Sequence, residues 1–220
     1  MNAGLGIERI TDLDAAWSSP RHGPQLRALR RSAERLRERF VAGPRCISVR
    51  TLPLSTFAYP TRYAFWAAAF APAPFVILTH RCLLVQFLQR GSLRNLLFCP
   101  TDVEAAKATP FFARFIDALG PRLSELAAGK FDSLEAQLVR LGIAPEDIDY
   151  VAFDHLHTQD LRGLLGTEDG ARQPRFKNAK LLAAKSEWED WDDLHPFQKA
   201  WFVRDGKIGV RMSNVILTGG

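Results

Sequence analysis

The spacing of apolar residues changes near residue 46. Before that point Leu26, Leu29, Ala33, Leu36 and Phe40 recur at intervals of three and four among charged neighbours, which is the pattern of one helix face. A helix is predicted over 25–42: Pro24 suits a first turn, good helix formers fill the interior, and Gly43-Pro44 ends it. Glu34 and Glu38 stand one turn from arginines and are expected to pair with them. Residues 1–20 carry little pattern and read as an irregular lead-in. After residue 46 the apolar runs become short and continuous. Strands are predicted over 47–54, 63–69, 75–79, 83–88 and 96–99, several of them buried on both faces. Gln89-Arg90-Gly91-Ser92 reads as the hairpin turn between the last two.

The helical period returns at 109–119, opened by Thr109-Pro110, and again at 131–141. In the second of these Leu134, Leu138 and Leu141 share a face, and Gly142 supplies a left-handed cap. Pro145-Glu146-Asp147 makes a turn into a strand over 148–153, and a loop rich in glycine and charge, 163–174, leads to a strand over 179–184. Ser186 is expected to cap the next helix, whose first turn holds Glu187 and Glu189. Asp205-Gly206 between 201–203 and 208–212 is a hairpin signal, and 215–217 begins a last strand. The resulting division is an N-terminal arm with a basic amphipathic helix, 1–45, followed by one α/β domain, 46–220.

Composition agrees with a folded domain: 47% of the residues are hydrophobic, and 15 phenylalanines and five tryptophans can fill a core. The net charge of +5 sits largely on one helix, through Arg21, Arg27, Arg30, Arg31, Arg35, Arg37 and Arg39. No aromatic residues and no glycine beyond Gly23 are interleaved with these arginines, so a solvated helix is expected there rather than a nucleic-acid arm. The apolar stretch 63–78 is broken by Pro72 and Pro74 and ended by His80-Arg81. It falls short of the ~20 apolar residues that a membrane span needs. Cys46, Cys82 and Cys99 show no CxxC spacing, and Glu8 and Arg9 interrupt any secretory leader. Reduced thiols in a cytoplasmic protein are therefore expected. No GxSxG elbow, GxGxxG turn or phosphate loop occurs, which leaves serine-hydrolase and nucleotide chemistry without a foothold. Trp188, Trp191 and Trp201 are expected in the core or at an interface, and the acidic run from Glu187 to Asp193 on a solvated face.

The candidate chemistry lies where the predicted strand over 148–153 runs into Asp154-His155-Leu156-His157-Thr158-Gln159-Asp160. In an extended segment residues i and i+2 face one side, so the imidazoles of His155 and His157 can reach one cation. Neutral imidazole is a good zinc ligand, and Asp154 is placed to orient a ring. The metal-free alternative has both histidines at a strand end, hydrogen-bonded to Asp154 and Asp160.

Helix, Gly-Ile-x-Pro-Glu-Asp-Ile-Asp, apolar strand and HxH in this order closely resemble the metallo-β-lactamase superfamily at its signature motif. Two further stretches look like the same family. One is 176–181 followed by Ser186-Glu187-Trp188-Glu189; the other is 83–87, the turn at Gly91, and 95–102. The resemblance covers roughly 46–220 and implies an αββα sandwich, here reading as incomplete toward the C-terminus, with the N-terminal helical arm appended. It implies a metal-dependent hydrolase acting on a small-molecule lactone, thioester or phosphoester. Zinc is the expected ion, with iron and manganese open. The family motif is HxHxDH, and its matching positions here are His155, His157, Gln159 and Asp160. The first two would be metal ligands. Asp160 is the expected third ligand or the general base, while Gln159 is a poor ligand. His195 is the only later histidine and its neighbours match no ligand segment. An inactive or truncated relative acting as a binding module is the alternative. An uncovered sheet face is expected to make the chain self-associate.

Overall fold

From His22 to Ala42 the arginine-bearing segment is helical (α2), starting a little before its apolar stripe. The structure, a computed structural model, describes residues 7–65, 73–120 and 128–219. Helix α2 packs on a short helix, Asp14–Trp17 (α1), inside the segment expected to be irregular. Ala16 and Ser32 are the buried residues of this pair, and their small side chains permit a close approach. Leu26 and Phe40, at the two ends of the stripe, remain exposed. Arg39 reaches back to Asp12 at 2.9 Å rather than to a glutamate one turn away.

Three long strands follow as an antiparallel meander: β1 Ser48–Pro60, β2 Phe75–Gln89 and β3 Ser92–Phe98. The two strands expected over 75–79 and 83–88 are one. His80 and Arg81 do not break β2, because alternation lets His80 share a face with buried Cys82 and Leu84 while Arg81 takes the other. Strand β1 likewise runs past residue 54, with a bulge between Pro53 and Ser55 that falls opposite Arg81 and His80. The Pro53 carbonyl accepts a hydrogen bond from the buried Gln137 side chain at 2.7 Å. Arg90 (φ 53°) and Gly91 (φ 80°) both take the left-handed conformation that a two-residue hairpin requires. Of the strand expected over 63–69, the first two residues close a helical turn, Thr61–Ala64 (α3), Phe65 caps its end, and 66–69 lie outside the described residues.

A short strand, Ala128–Lys130 (β4), pairs with β1 on the outer side. Beyond β3 the pairing turns parallel through β5 Tyr150–Ala152, β6 Lys180–Ala184 and β7 Val215–Thr218. Among the described residues this makes one seven-stranded sheet in the order β4-β1-β2-β3-β5-β6-β7. Helices α4 (Val103–Lys107), α5 (Pro110–Leu119) and α6 (Leu134–Arg140) fill the connection from β3 to β5, and Asp102, Thr109 and Ser133 cap them through their side chains. Helix α6 starts later than predicted because Ser133 serves as its cap, and Phe131 is left exposed.

The stretch that resembles the family signature does structural work. Gly142 (φ 71°) ends α6, and the Ile143 N–H reaches back to Leu138 O at 3.0 Å. The Asp147 carboxylate accepts from the Ala144 N–H at 2.8 Å. The Asp149 carboxylate accepts from Arg94 Nη1 at 2.6 Å and from the Asn95 N–H at 2.9 Å, fastening β5 beside β3. Leu84, Leu97, Leu138, Ile148, Val151 and Leu181 meet in one fully buried cluster on this side of the sheet. On the opposite side of β1 and β2, Val49, Phe75 and Ile77 are 57%, 56% and 67% exposed.

Two local expectations fail. Ser186 does not cap the helix Lys185–Asp190 (α8), which follows directly from β6 with Ala184 at its N-cap and no side-chain cap bond. Asp205-Gly206 does not turn a hairpin; the chain there winds through successive turns, with only an isolated bridge from Val210 to Thr167. The reason is tertiary. Gly206 is pressed against the Gln159 carbonyl and the Trp191 ring. Trp191 is in the core as expected, edge-on to Phe202 at 5.2 Å. No helix of the described residues is long and apolar enough to cross a membrane.

Candidate metal centre

Strand β5 ends at Ala152, so the two histidines lie on a loop just past the strand rather than in it. Within the loop Leu156 and Thr158 are buried, and this alternation turns His155 and His157 to a common side. Their rings stack with centroids 4.3 Å apart and planes 25° from parallel. The shared side expected from the i, i+2 spacing is present. A shared point is not, because nitrogen lone pairs lie in the ring planes and nearly parallel planes do not intersect between the rings. Consistent with this, no group of three or more His, Cys, Asp or Glu side chains among the described residues is already disposed to hold a metal ion.

Asp154 organises one end of the pair. Its Oδ1 accepts from the His155 N–H at 3.0 Å and from the Cys99 thiol at 3.2 Å, and its Oδ2 lies 3.1 Å from His155 Nδ1. Burial pushes this carboxyl up, but the Cys99 hydrogen bond and the neighbouring His155 outweigh it, and the net effect lowers its pKa. Cys99 comes from β3 in a left-handed conformation (φ 57°), with its N–H extending the ladder to Ala152 O at 2.8 Å. Burial pushes its thiol up to about 11, opposed by the Asp154 backbone hydrogen bond and helped by the Asp154 carboxylate.

His157 is held through its backbone: its N–H donates to Gln159 Oε1 at 2.6 Å, and its carbonyl accepts from the Val203 N–H at 3.3 Å. Its Nδ1 is buried and has no hydrogen-bond partner. Burial, then the charge of His155, pushes its pKa down to about 4, so at neutral pH the ring is uncharged with a lone pair to give. His80 on β2 lies close enough for its charge to act on His157, and its own pKa is lowered by burial, opposed by Asp154.

The other half of the motif is spent on structure. Gln159 is buried, with its amide turned back onto the loop backbone at His157 N and His155 O. Asp160 was expected as a ligand or base. Instead it caps a short helix, Leu161–Leu165 (α7), and both its oxygens are taken by arginines. Oδ1 accepts from Arg162 Nε at 2.8 Å, and Oδ2 from Arg162 Nη2 at 2.8 Å and Arg172 Nη1 at 2.7 Å. Burial pushes the carboxyl up and the two guanidinium groups bring it down further, leaving it ionised and fully engaged. His195 caps the helix Pro196–Lys199 (α9) through Nδ1. Sequence reasoning did not place Cys99 and His80 beside the pair. They come from strands remote in the chain, and no local spacing marks them.

An orphaned imidazole nitrogen beside a carboxylate and a second imidazole fits one cation. The Gln159–Asp160 half of the motif offers no free donor to a second ion, since Gln159 is neutral and Asp160 is held by two arginines.

Neither a protein-family profile nor a curated protein sequence matches the chain. Solved structures do. A probable metal-dependent hydrolase from Staphylococcus aureus superposes with a TM-score of 0.52 at 18% identity, over 78% of this chain and 58% of that one. An N-acyl homoserine lactone hydrolase, solved with N-hexanoyl-L-homoserine at its catalytic metal center, gives a TM-score of 0.46 at 17% identity, over 80% and 60%. The dizinc quorum-quenching lactonase AidC gives 0.47 at 13% identity, over 80% and 61%. The chain thus spans about three-fifths of the length of these structures. At such identities the likeness speaks for fold alone. The seven-stranded mixed sheet, the helices between β3 and β5, and the superposition on the staphylococcal protein together give this chain a metallo-β-lactamase-like α/β fold.

Proposed function

We propose that this chain is a hydrolase-like protein that binds one divalent metal ion through His155 and His157, with Asp154 orienting the pair. The single observation that carries the reading is the buried, unpartnered Nδ1 of His157. A buried polar atom without a partner costs free energy, and a cation is the ligand that a neutral imidazole lone pair best satisfies. Zinc is the expected ion on donor type, with iron and manganese as competitors. A bound divalent ion would supply Lewis acidity, polarising a carbonyl or phosphoryl oxygen and acidifying a water. The substrate class in this reading is a small lactone, thioester or phosphoester.

The chain's own residues have assigned parts. Asp154 holds the His155 ring through Nδ1. Gln159 fixes the loop by accepting from the His157 N–H. Asp160 steadies the base of the loop through Arg162 and Arg172 and takes no proton from substrate.

The engagement of Asp160 and Gln159 also favours a second reading, a non-catalytic relative that keeps the scaffold as a binding module. Metal analysis separates the two. The full chain, purified without chelator, should carry close to one equivalent of zinc, iron or manganese by mass spectrometry, and His157→Ala should lose it. Substoichiometric metal in both proteins removes the hydrolase reading. Stoichiometric metal with no turnover of lactone, thioester or phosphoester panels leaves the binding module.

A further inference from the structure

Helix α2 carries charge and an apolar stripe that the histidine loop does not use. From Arg21 to Arg45 the chain holds eight arginines against two glutamates, a net +6 in a protein whose total is +5. Arg39 is tied to Asp12 at 2.9 Å, and Arg35 donates to the Ser32 hydroxyl at 3.0 Å. Arg27, Arg30, Arg31 and Arg37 have no acidic partner among the described residues.

The apolar stripe is open as well. Ser32 is the one buried residue of the helix, while Leu26 and Phe40 are each more than half exposed. These two lie on one face, about 21 Å apart along the axis. Trp17, at the end of α1, is 70% exposed. The Gln25 side chain donates to its carbonyl at 2.6 Å, and Trp17 shares with Leu29 the lining of an open cleft of about 540 Å³. The tryptophan therefore stands at the head of the stripe.

We propose that α2, together with Trp17, is a docking surface for an anionic lipid membrane and lies in the headgroup layer with its stripe toward the acyl chains. Charge complementarity is the first argument, because a plane of negative headgroups attracts each arginine held near it. Side-chain chemistry is the second. Trp, Leu and Phe along one side, with arginines over the rest, is the make-up of a helix that rests in the membrane interface. Arginine stems can cover the edge of the apolar layer while the guanidinium groups stay in water. The third argument is what other partners would leave undone. Nucleic acid would neutralise the arginines and leave Trp17, Leu26 and Phe40 in water. A second α2 would cover the stripe and bring two sets of like charges together. A lipid surface answers both needs. The inference is independent of the metal reading.

Flotation of the full chain with vesicles tests this, since it separates bound protein from any self-associated material. Vesicles of phosphatidylcholine with about one-quarter phosphatidylserine should carry the protein at near-physiological salt, and pure phosphatidylcholine should bind it at least about tenfold more weakly. Added salt should release it. Arg30→Glu combined with Arg37→Glu should weaken binding to the anionic vesicles by at least about tenfold. Leu26→Ser combined with Phe40→Ser should weaken it by at least about tenfold at unchanged charge. Far-ultraviolet circular dichroism establishes that each variant is folded. Equal recovery on neutral and anionic vesicles, or none on either, overturns the proposal. Undiminished binding by the Leu26→Ser/Phe40→Ser variant overturns the part given to the stripe. Double-stranded DNA bound more tightly than the vesicles, and equally by that variant, assigns the helix to nucleic acid and overturns the lipid reading.

Discussion

Asp160 and Arg172 are joined by a 2.7 Å contact between Oδ2 and Nη1 across the glycine-rich loop. With Arg162 gripping the same carboxylate in a bidentate manner, the residue is mostly buried and its lone pairs are used. A position that the motif pattern marks as a ligand has become a strut between α7 and the loop after it.

Asp160→Asn is therefore a stability variant. Removing one partner from a mostly buried charge cluster should cost about 2–4 kcal/mol, seen as a lower urea midpoint. The metal content of the folded protein should not change. Loss of metal at unchanged stability would return Asp160 to the ligand set.

His157 gives a pH signature in the chelated protein. Its folded pKa lies near 4 against an ordinary 6.5, so between those values the unfolded chain binds the proton and the native chain does not. Stability therefore falls as pH drops from about 6.5 toward 4. The effect is about 1–2 kcal/mol once partial solvent screening is allowed for. His80, shifted in the same direction, adds to it. Thermal melts across this window should show a steeper slope for wild type than for His157→Gln.

Gly206 and Gly163 form a contrasting pair. A Cβ at Gly206 would stand 2.7 Å from the Gln159 carbonyl, 3.0 Å from the Trp191 ring and 3.2 Å from the Val203 carbonyl, whereas at Gly163 it would meet nothing. Gly206→Ala should lose about 2–3 kcal/mol and shift the His155 and His157 ring resonances. Gly163→Ala, inside α7, should be neutral or gain up to ~1 kcal/mol. Equal melting temperatures for the two variants would mean that the turn does not brace the histidine loop.

The exposed apolar side chains of β2 predict self-association. Phe75 and Ile77, two residues apart on one face of β2, are each more than half exposed, and exposed apolar side chains set together are disfavoured by water. Light scattering should find wild type larger than a monomer, with Ile77→Asp shifting it toward the monomer mass. A monodisperse wild-type monomer contradicts the prediction.

Much of the scaffold was legible because it is local. The helix over 25–42, the Arg90-Gly91 turn, the Gly142 cap and the strands near 150, 180 and 215 follow from periodicity and turn chemistry, and the structure has each of them. The failures are tertiary. Asp205-Gly206 carries hairpin chemistry, yet packing against Gln159 and Trp191 bends the segment into turns. The fusion of 75–79 with 83–88 depends on His80 and Arg81 taking opposite faces of a sheet that sequence spacing does not display.

The site divides in the same way. HxH spacing correctly implies a shared side, since that is a two-residue property. Whether the rings converge depends on the carboxylate that holds one of them and on burial of the other. The arginines that take Asp160, and the Cys99 thiol that lies 55 positions from Asp154, come from pairings no local pattern encodes.

Cys99 sits at a φ that costs an ordinary side chain on the order of 1 kcal/mol and costs glycine almost nothing. Durability and chemistry thus pull in opposite directions at this corner of the sheet. A glycine swap there should relieve the backbone and remove the thiol that hydrogen-bonds Asp154 beside the histidine pair, so a screen for hardier variants would select against the contact that orders this corner.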